Sequence, residues 1–246
     1  MRVKPPTALL LLLLAAPAAA APQPGGPAAA PDAPRGPFGT VVCAAKEFRY
    51  ALTAEDALWT ARMLVGESGG ADDADNEAVV WCMLNSYAIR PLRMFKSFTE
   101  FIRAYSTPLQ PYLKSKAAIE RHRKRKTPMV EVEPGKFQLK RHVEIQKRPW
   151  ADLPAGARAL VERIFTGKLS SVCGNATQFC STAVYFQDAH DRRPTDEEHE
   201  KFTLEYAAKH KYVWRKVEGA DPRKNCFFEE ERYKELSRPA VKVVQP

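Results

Sequence analysis

A glutamate at the predicted end of a helix is the side chain whose position in this sequence best suits acid–base chemistry. Glu67 is followed by Ser68-Gly69-Gly70, and glycine supplies the left-handed backbone with which many helices end. The partial negative charge at a helix C-terminus opposes ionisation of a carboxyl group there, and burial acts in the same direction. Both effects favour a carboxylic acid that keeps its proton near neutral pH, as a general acid must. The alternative is a solvated glutamate at a frayed helix end.

The helix that would carry Glu67 begins with a capping signal. Thr53 and Asp56 fit the [ST]-x-x-[DE] pattern of a helix N-terminus. Apolar residues then recur at helical spacing, at Leu58, Ala61, Leu64 and Val65. The sequence therefore predicts an amphipathic helix over about residues 54–67, ended by the glycine pair.

A second helix is predicted after the glycine turn, and its acidic start offers further candidate acids. Its apolar face would comprise Val79, Val80, Met83, Leu84 and Tyr87. Asp72, Asp73 and Asp75 precede this face, and each suits the N-cap of the helix. If one of them lay across a cleft from Glu67, the pair would supply the two carboxylates of a simple glycoside hydrolase.

Several residues around Glu67 fall without a gap on the positions of a known family motif. They are Ala61-Arg62-Met63-Leu64, Glu67, Gly70, Ala78-Val79 and Leu84-Asn85. This pattern resembles the core motif of the SleB-type cell-wall hydrolases, the spore-cortex-lytic group of peptidoglycan-cleaving enzymes. The sequence departs from that motif at Gly69 and Ser86, where the family has arginine, and at Ala71, where it often has a second glutamate.

Two later segments are similar to the family in the same order along the chain. Residues 174–179, or alternatively 181–186, resemble its Gly-Ala-Thr-aromatic-aromatic segment, and residues 224–228 resemble its closing Gly-Asn-His-x-Phe strand. The resemblance implies a substrate-binding set in which Thr177, Gln178, Tyr185 and Asn225 line the groove. Ser68 would complete the set by a hydrogen bond near Glu67, and Asn85 by orienting Glu67 or by satisfying buried backbone groups. Each of these has an ordinary structural alternative, in a loop or in the core.

The resemblance also implies a fold and a reaction. The expected fold is α+β, a mostly helical, lysozyme-like domain with a small antiparallel sheet or hairpins. The expected reaction is cleavage of the peptidoglycan strand between MurNAc and GlcNAc by lytic transglycosylation, in which Glu67 is the one acid and base and no cofactor is needed. The altered motif leaves open a catalytically inactive wall-binding module on the same scaffold, and more weakly an exported peptidase or amidase.

The N-terminal segment has the pattern of an export signal. Arg2 and Lys4 precede a short apolar run, and small residues follow as far as Ala21, which predicts a signal peptide over residues 1–21. Its removal takes the formal net charge from +9 to +7, because two cations are lost. We therefore expect a basic periplasmic or secreted protein that does not stay inserted in the membrane. A Pro/Ala/Gly-rich linker over residues 22–40 would connect to a catalytic domain over 41–235, with a tail over 236–246.

Five cysteines are compatible with disulfides in an exported protein. The expected bridges are Cys173–Cys180, which would close a short loop, and Cys43–Cys226, which would join the ends of the domain. Cys82 lies in the second predicted helix and is expected to be a buried free thiol. No metal site is expected, because no Cys-x2-Cys or His-x3–5-His pairing is present.

Residues 114–148 look like a basic insertion relative to the family. The cluster Arg121-His122-Arg123-Lys124-Arg125-Lys126 would suggest nucleic acid in an intracellular protein, but the export signal argues against that partner. Either the wall and its stem-peptide carboxylates or plain solvent would face this cluster. A hairpin is predicted around Pro134-Gly135. The oligomeric state stays open.

The remaining elements follow from capping signals and apolar runs. Helices are predicted after Ser97 and after Thr195, and another over residues 154–168. Strands are predicted at 183–186 and 226–228.

Overall fold

The computed structural model describes residues 33–90 and 94–245. The predicted signal peptide and most of the predicted linker lie outside these residues. The described part contains eight α-helices: α1 (Ala54–Ser68), α2 (Ala74–Ile89), α3 (Phe98–Tyr105), α4 (Lys116–Lys124), α5 (Lys140–Lys147), α6 (Ala155–Phe165), α7 (Thr182–His190) and α8 (Asp196–His210). None of them is long and apolar enough to cross a membrane.

Three small antiparallel sheets accompany the helices. Their strands are β1 (Thr40–Cys43), β2 (Phe48–Ala51), β3 (Met129–Glu133), β4 (Lys136–Leu139), β5 (Gln178–Cys180), β6 (Tyr212–Arg215), β7 (Cys226–Glu230) and β8 (Lys242–Val244). The strand orders are β2-β1-β8, β3-β4 and β5-β7-β6. The expected α+β class, mostly helical with small antiparallel sheets, is confirmed.

Helix α1 begins and ends where its sequence signals place it. Thr53 Oγ1 accepts a hydrogen bond from Asp56 N at 3.1 Å, and Asp56 Oδ2 accepts one from Thr53 N at 3.0 Å, which completes a capping box. Gly69 ends the helix with a φ of 85°, a backbone conformation that glycine adopts without a steric penalty. Glu67 consequently lies in the last turn of α1.

Asp56 also connects the start of α1 to its neighbours. Its side chain is fully buried, and its Oδ1 accepts hydrogen bonds from Thr99 N at 2.9 Å and Thr99 Oγ1 at 2.8 Å. Its Oδ2 additionally accepts one from Tyr50 Oη at 2.9 Å. The beginning of α3 is thereby fixed to the beginning of α1.

Helix α2 lies in the centre of the core and is buried on nearly every side. Asp73 caps it by accepting a hydrogen bond from Asn76 N at 2.9 Å. Trp81, Cys82 and Leu84 are fully buried on different sides of the helix. A helix that is apolar all round belongs in a core, so the narrower apolar face expected from spacing alone describes only part of its buried surface.

The segment predicted as a strand at residues 183–186 is instead the first half of α7. Ser181 begins the helix by accepting a hydrogen bond from Val184 N at 3.4 Å, and Thr182 and Phe186 point inward one turn apart. The strand lies just before it, at β5. A four-residue apolar run does not distinguish a strand from a helix turn, which explains the error.

The C-terminal segment is part of the domain and not a tail. Strand β8 pairs with β1, with Val243 opposite Val41. The side chain of Asn175 holds the chain leading to β8, because it donates to Ser237 O and accepts from Ala240 N, both at 2.8 Å. A three-residue strand with a single inward side chain gives too short a pattern to be recognised in the sequence.

Neither predicted disulfide is formed, because all five cysteines are free thiols. Cys43 is in β1 and Cys226 in β7, which belong to different sheets. Cys173 is buried in the core, with its thiol 3.6 Å from Ala78 O of α2, and Cys180 lies opposite Cys226 in the β5–β7 pair. Cys82 is a buried free thiol, as expected.

The basic insertion consists of α4, the predicted hairpin β3–β4, and α5. No residue of α4 is buried, so this helix presents a solvated face. The rest of the insertion supports the chain that follows α3, because Gln146 donates to Pro108 O at 2.8 Å and Gln138 donates to Gln110 O at 2.7 Å. The insertion therefore helps to position a segment that borders Glu67.

Candidate active site

A groove of about 660 Å³ opens at the end of α1. Its walls come from α1, α2, the end of α3, β5, the start of α7 and the chain just before β7. Six of the seven predicted site residues line it: Glu67, Ser68, Thr177, Gln178, Tyr185 and Asn225. They derive from three separate parts of the sequence that the fold brings together.

The carboxyl group of Glu67 is fixed through one oxygen and open through the other. Its Oε1 accepts a hydrogen bond from Ser106 Oγ at 2.8 Å, and Ser106 is 3% exposed. Its Oε2 makes no hydrogen bond to another described residue, and the side chain is exposed to the groove. Oε2 therefore keeps its hydrogen-bonding capacity for a bound substrate.

Desolvation raises the pKa of Glu67 above its ordinary value. The hydrogen bond from Ser106 and the more distant charge of Arg141 act in the opposite direction and lower the pKa by less. The carboxyl group is desolvated although part of the side chain is exposed. No described cation forms an ion pair with Glu67. The direction of this pKa shift is the one that general-acid catalysis requires.

The contact between Glu67 and Ser106 depends on a close approach between α1 and the chain after α3. A Cβ atom added to Gly66 would lie 2.3 Å from Pro108 Cβ, so only glycine allows this separation. Gly66 occupies the position before Glu67, and Pro108 follows Ser106 by two residues. The absence of a side chain at Gly66 therefore permits Ser106 to reach the carboxyl group.

Ser68 organises the glycine turn. Its hydroxyl group contacts Leu64 O at 3.1 Å and is hydrogen-bonded to Asn76 Oδ1. The amide of Asn76 donates to Ala71 O and Asp73 Oδ1, each at 2.9 Å. These bonds connect the end of α1 to the start of α2, so the turn that bears Glu67 is held from both sides.

The three aspartates after the turn have structural partners outside the groove. Asp72 pairs with Arg163 at 2.5 Å, Asp73 caps α2, and Asp75 accepts a hydrogen bond from Asp221 N at 3.0 Å. Among the described residues, Glu67 is the one carboxylate that lines the groove. The possible second acid is therefore not found across from Glu67 in this part of the chain.

The groove also presents amide and aromatic side chains. Gln178 and Asn225 line the groove, and their side-chain amides make no hydrogen bond to another described residue. Tyr105 and Tyr185 also line it and are 47% and 43% exposed. Sugar rings have hydroxyl edges and apolar faces, which free amides and exposed aromatic rings complement.

Thr177 also lines the groove, but its side chain and backbone are already hydrogen-bonded. Its Oγ1 donates to Glu230 Oε1 at 3.1 Å, and its backbone N donates to Phe228 O at 2.9 Å. Glu230 also pairs with Arg90 at 3.3 Å, and Arg90 borders the groove. Thr177 consequently links the groove wall to the β5–β7 sheet.

Asn85 does not line the groove. Its side chain is fully buried and donates to Gly174 O at 2.8 Å and to Ala176 O at 3.0 Å. Asn85 therefore fixes the loop that precedes Thr177 by satisfying buried backbone groups, which is one of the two roles that the sequence left open, and it makes no contact with the groove. Burial on the central helix α2 is the physical reason.

Sequence patterns did not indicate Ser106, Tyr105 or Asn76. Ser106 and Tyr105 are at the end of α3, and nothing local shows that this end meets the end of α1. A polar residue next to a predicted helix terminus is the one signal that marks Ser106. Asn76 follows the Asp73 cap and is distinguished only by its burial.

Metal and family comparisons give no further assignment. No group of three or more His, Cys, Asp or Glu side chains among residues 33–90 and 94–245 is arranged to hold a metal ion. No protein-family model, curated protein or solved structure matches this chain. The resemblance to SleB-type hydrolases therefore depends on the motif residues alone, and the lysozyme-like part of the fold stays a prediction.

Proposed function

We propose that this protein is an exported peptidoglycan-cleaving enzyme that acts by lytic transglycosylation, with Glu67 as both acid and base. The observation that carries the proposal is the state of Glu67: its pKa is raised, its Oε1 is held by Ser106, and its side chain lines a groove. The lack of a second carboxylate among the described lining residues favours a mechanism that needs one acid.

The reaction follows from what one carboxyl group can do. Protonated Glu67 gives its proton to the glycosidic oxygen between MurNAc and GlcNAc, and the bond from that oxygen to the MurNAc anomeric carbon breaks. The oxocarbenium-like centre is then attacked by the 6-hydroxyl of the same MurNAc. Ionised Glu67 accepts the hydroxyl proton, so the product has a 1,6-anhydro end, no water is consumed, and the enzyme regains its starting state.

The neighbouring residues would support these two proton transfers. Ser106 donates to Oε1 and stabilises the ionised form, which exists between the two steps. Gln178 and Asn225 have free amides that suit hydroxyl and acetamido groups. Tyr105 and Tyr185 offer ring faces for the sugars.

The proposal is tested by digesting purified wall sacculi with the wild-type protein and with Glu67→Gln, followed by mass spectrometry of the soluble products. We expect anhydro-ended muropeptides from the wild type and a loss of at least about 100-fold in Glu67→Gln, the scale of general acid–base catalysis. Glu55→Gln, which changes an exposed acid in the first turn of α1, is the control and should keep its activity.

Three other outcomes of the sacculus digestion would each exclude lytic transglycosylation. Hydrated reducing ends would indicate hydrolysis with another carboxylate. Free stem peptides would indicate an amidase. Binding to sacculi without any soluble product would identify an inactive wall-binding module on the same scaffold.

A further inference from the structure

A second cleft adjoins the groove. It has a volume of about 430 Å³ and lies between the start of α8 and the β6–β7 end of the sheet. Arg223 and Asn225 line both the groove and this cleft, so the two cavities meet at these residues. Both volumes fall in the range of ligand pockets.

The wall of the cleft combines apolar surface with hydrogen-bonding groups. Trp214, Val217, Ala220 and Phe227 provide the apolar part. Trp214 is half-buried, and the Nζ of the exposed Lys216 lies over its ring, 4.9 Å from the centroid. An aromatic ring beside polar groups is the chemistry that a sugar ring complements.

Most of the charged groups at the cleft are already neutralised by a partner. Lys216 pairs with Glu200 at 2.8 Å, and Arg223 pairs with Asp196 at 2.5 Å. The amide of Asn225, in contrast, makes no hydrogen bond to another described residue, and it lies where the two cavities meet. This lining suits an uncharged, hydroxyl-rich ligand better than an ionic one.

From this geometry we infer that the cleft is an extension of the substrate site, which holds further sugars of the same glycan strand after the strand has passed Asn225. The inference rests on the proposed function, because it takes the polymer in the groove to be a glycan. It assigns long glycan strands as the preferred substrate, since a short oligosaccharide fills the groove alone.

The test compares the affinities of a trisaccharide and a hexasaccharide of β-1,4-linked N-acetylglucosamine for the Glu67→Gln protein, measured by calorimetry. We expect the hexasaccharide to bind about tenfold tighter, the scale of one added aromatic contact. Adding Trp214→Ala to the Glu67→Gln protein should remove the tighter binding of the hexasaccharide and leave the affinity for the trisaccharide unchanged. Leu204→Ala, an exposed apolar truncation on α8 that lines neither cavity, is the matched control and should retain the gain.

A second variant keeps the test decisive if Trp214→Ala does not fold, which thermal denaturation shows. Ala220→Trp fills the cleft without removing a side chain, and it should also abolish the advantage of the hexasaccharide. The inference is overturned if the folded variants still bind the hexasaccharide more tightly than the trisaccharide. It is also overturned if the variants lose the same affinity for both oligosaccharides. If the wild-type protein still releases anhydro muropeptides from sacculi in that case, the proposed function stands without the second cleft. If neither oligosaccharide binds and sacculi stay intact, both proposals fall together.

Discussion

Ser106 Oγ donates a hydrogen bond of 2.8 Å to Glu67 Oε1, across the ends of two helices that are joined at their other ends by Asp56 and Thr99. Helices α1 and α3 are thus held together at both ends, and the carboxyl group of Glu67 is part of one of these connections. This arrangement fixes Oε1 of Glu67, whereas Oε2 makes no hydrogen bond to another described residue.

Removing the hydroxyl group of Ser106 should alter the pH dependence of activity. The hydrogen bond from Ser106 lowers the pKa of Glu67, so Ser106→Ala should raise that pKa further. A general acid works in its protonated form, and the alkaline limb of the pH–rate profile should therefore move to higher pH. We also expect kcat to fall about tenfold, equivalent to a hydrogen bond of ~1.4 kcal/mol.

Ser106→Thr is the matched control, because it keeps a hydroxyl group at the same position. Its profile should resemble that of the wild type. An unchanged alkaline limb in Ser106→Ala would show that this hydrogen bond does not act on the catalytic proton.

The raised pKa of Glu67 also predicts how stability depends on pH. A carboxyl group whose pKa is higher in the folded state than in the unfolded state contributes its full stabilisation below the unfolded pKa, and this stabilisation is lost as pH rises through the folded pKa. Glu67→Gln cannot ionise and escapes that loss. Its melting temperature should exceed that of the wild type at pH 8 and approach it at pH 4.

Thermal denaturation followed by circular dichroism at both pH values measures this difference. Glu55→Gln, on the same helix, should show no such pH-dependent gain. If Glu67→Gln were less stable than the wild type at pH 8, the desolvation of the carboxylate would not be the dominant effect.

Local signals in the sequence were sufficient for the elements that carry Glu67. The Thr53–Asp56 capping box, the glycine stop and the Asp73 cap all depend on residues within one turn of each other. The interactions that stabilise these helix ends join residues close in sequence, so the corresponding patterns can be recognised in the sequence. The same holds for Thr195, which forms a capping box with Glu198 at the start of α8.

Pairings between distant residues could not be predicted in this way. The strand β8 exists because β1 offers it an edge, and Ser106 reaches Glu67 because Gly66 and Pro108 pack closely. No local preference encodes either contact. The incorrect disulfides have the same origin, since the spacing of Cys173 and Cys180 does not reveal that their side chains enter different environments.

We expect substitutions at Gly66 and at Gly69 to be destabilising for two different physical reasons. In Gly66→Ala the new Cβ would meet Pro108, and relief of this overlap should cost about 2 kcal/mol of stability. It should also separate Ser106 from Glu67 and reduce kcat. Urea denaturation and the sacculus assay measure the two effects.

Gly69→Ala separates backbone strain from steric overlap. Gly69 has a positive φ of 85°, but a Cβ there would meet no atom within 4 Å, so we expect a cost of roughly 1 kcal/mol from the backbone alone. Activity per folded molecule should change little. Equal losses of activity in both variants would contradict the proposed link between Gly66 and the Ser106 contact.

Asn85 offers a test between a buried structural role and a substrate contact. In Asn85→Ala the carbonyl groups of Gly174 and Ala176 lose their shared donor in the core, and buried carbonyls without partners should cost about 2 kcal/mol. The melting temperature should then fall by roughly 5 °C.

Well below that temperature, adding Asn85→Ala to the Glu67→Gln protein should leave its affinity for the trisaccharide unchanged, because Asn85 does not reach the groove. A large loss of affinity with little loss of stability would instead restore the direct contact implied by the family resemblance. That contact would require the loop before Thr177 to open, because Asn85 is buried in this structure.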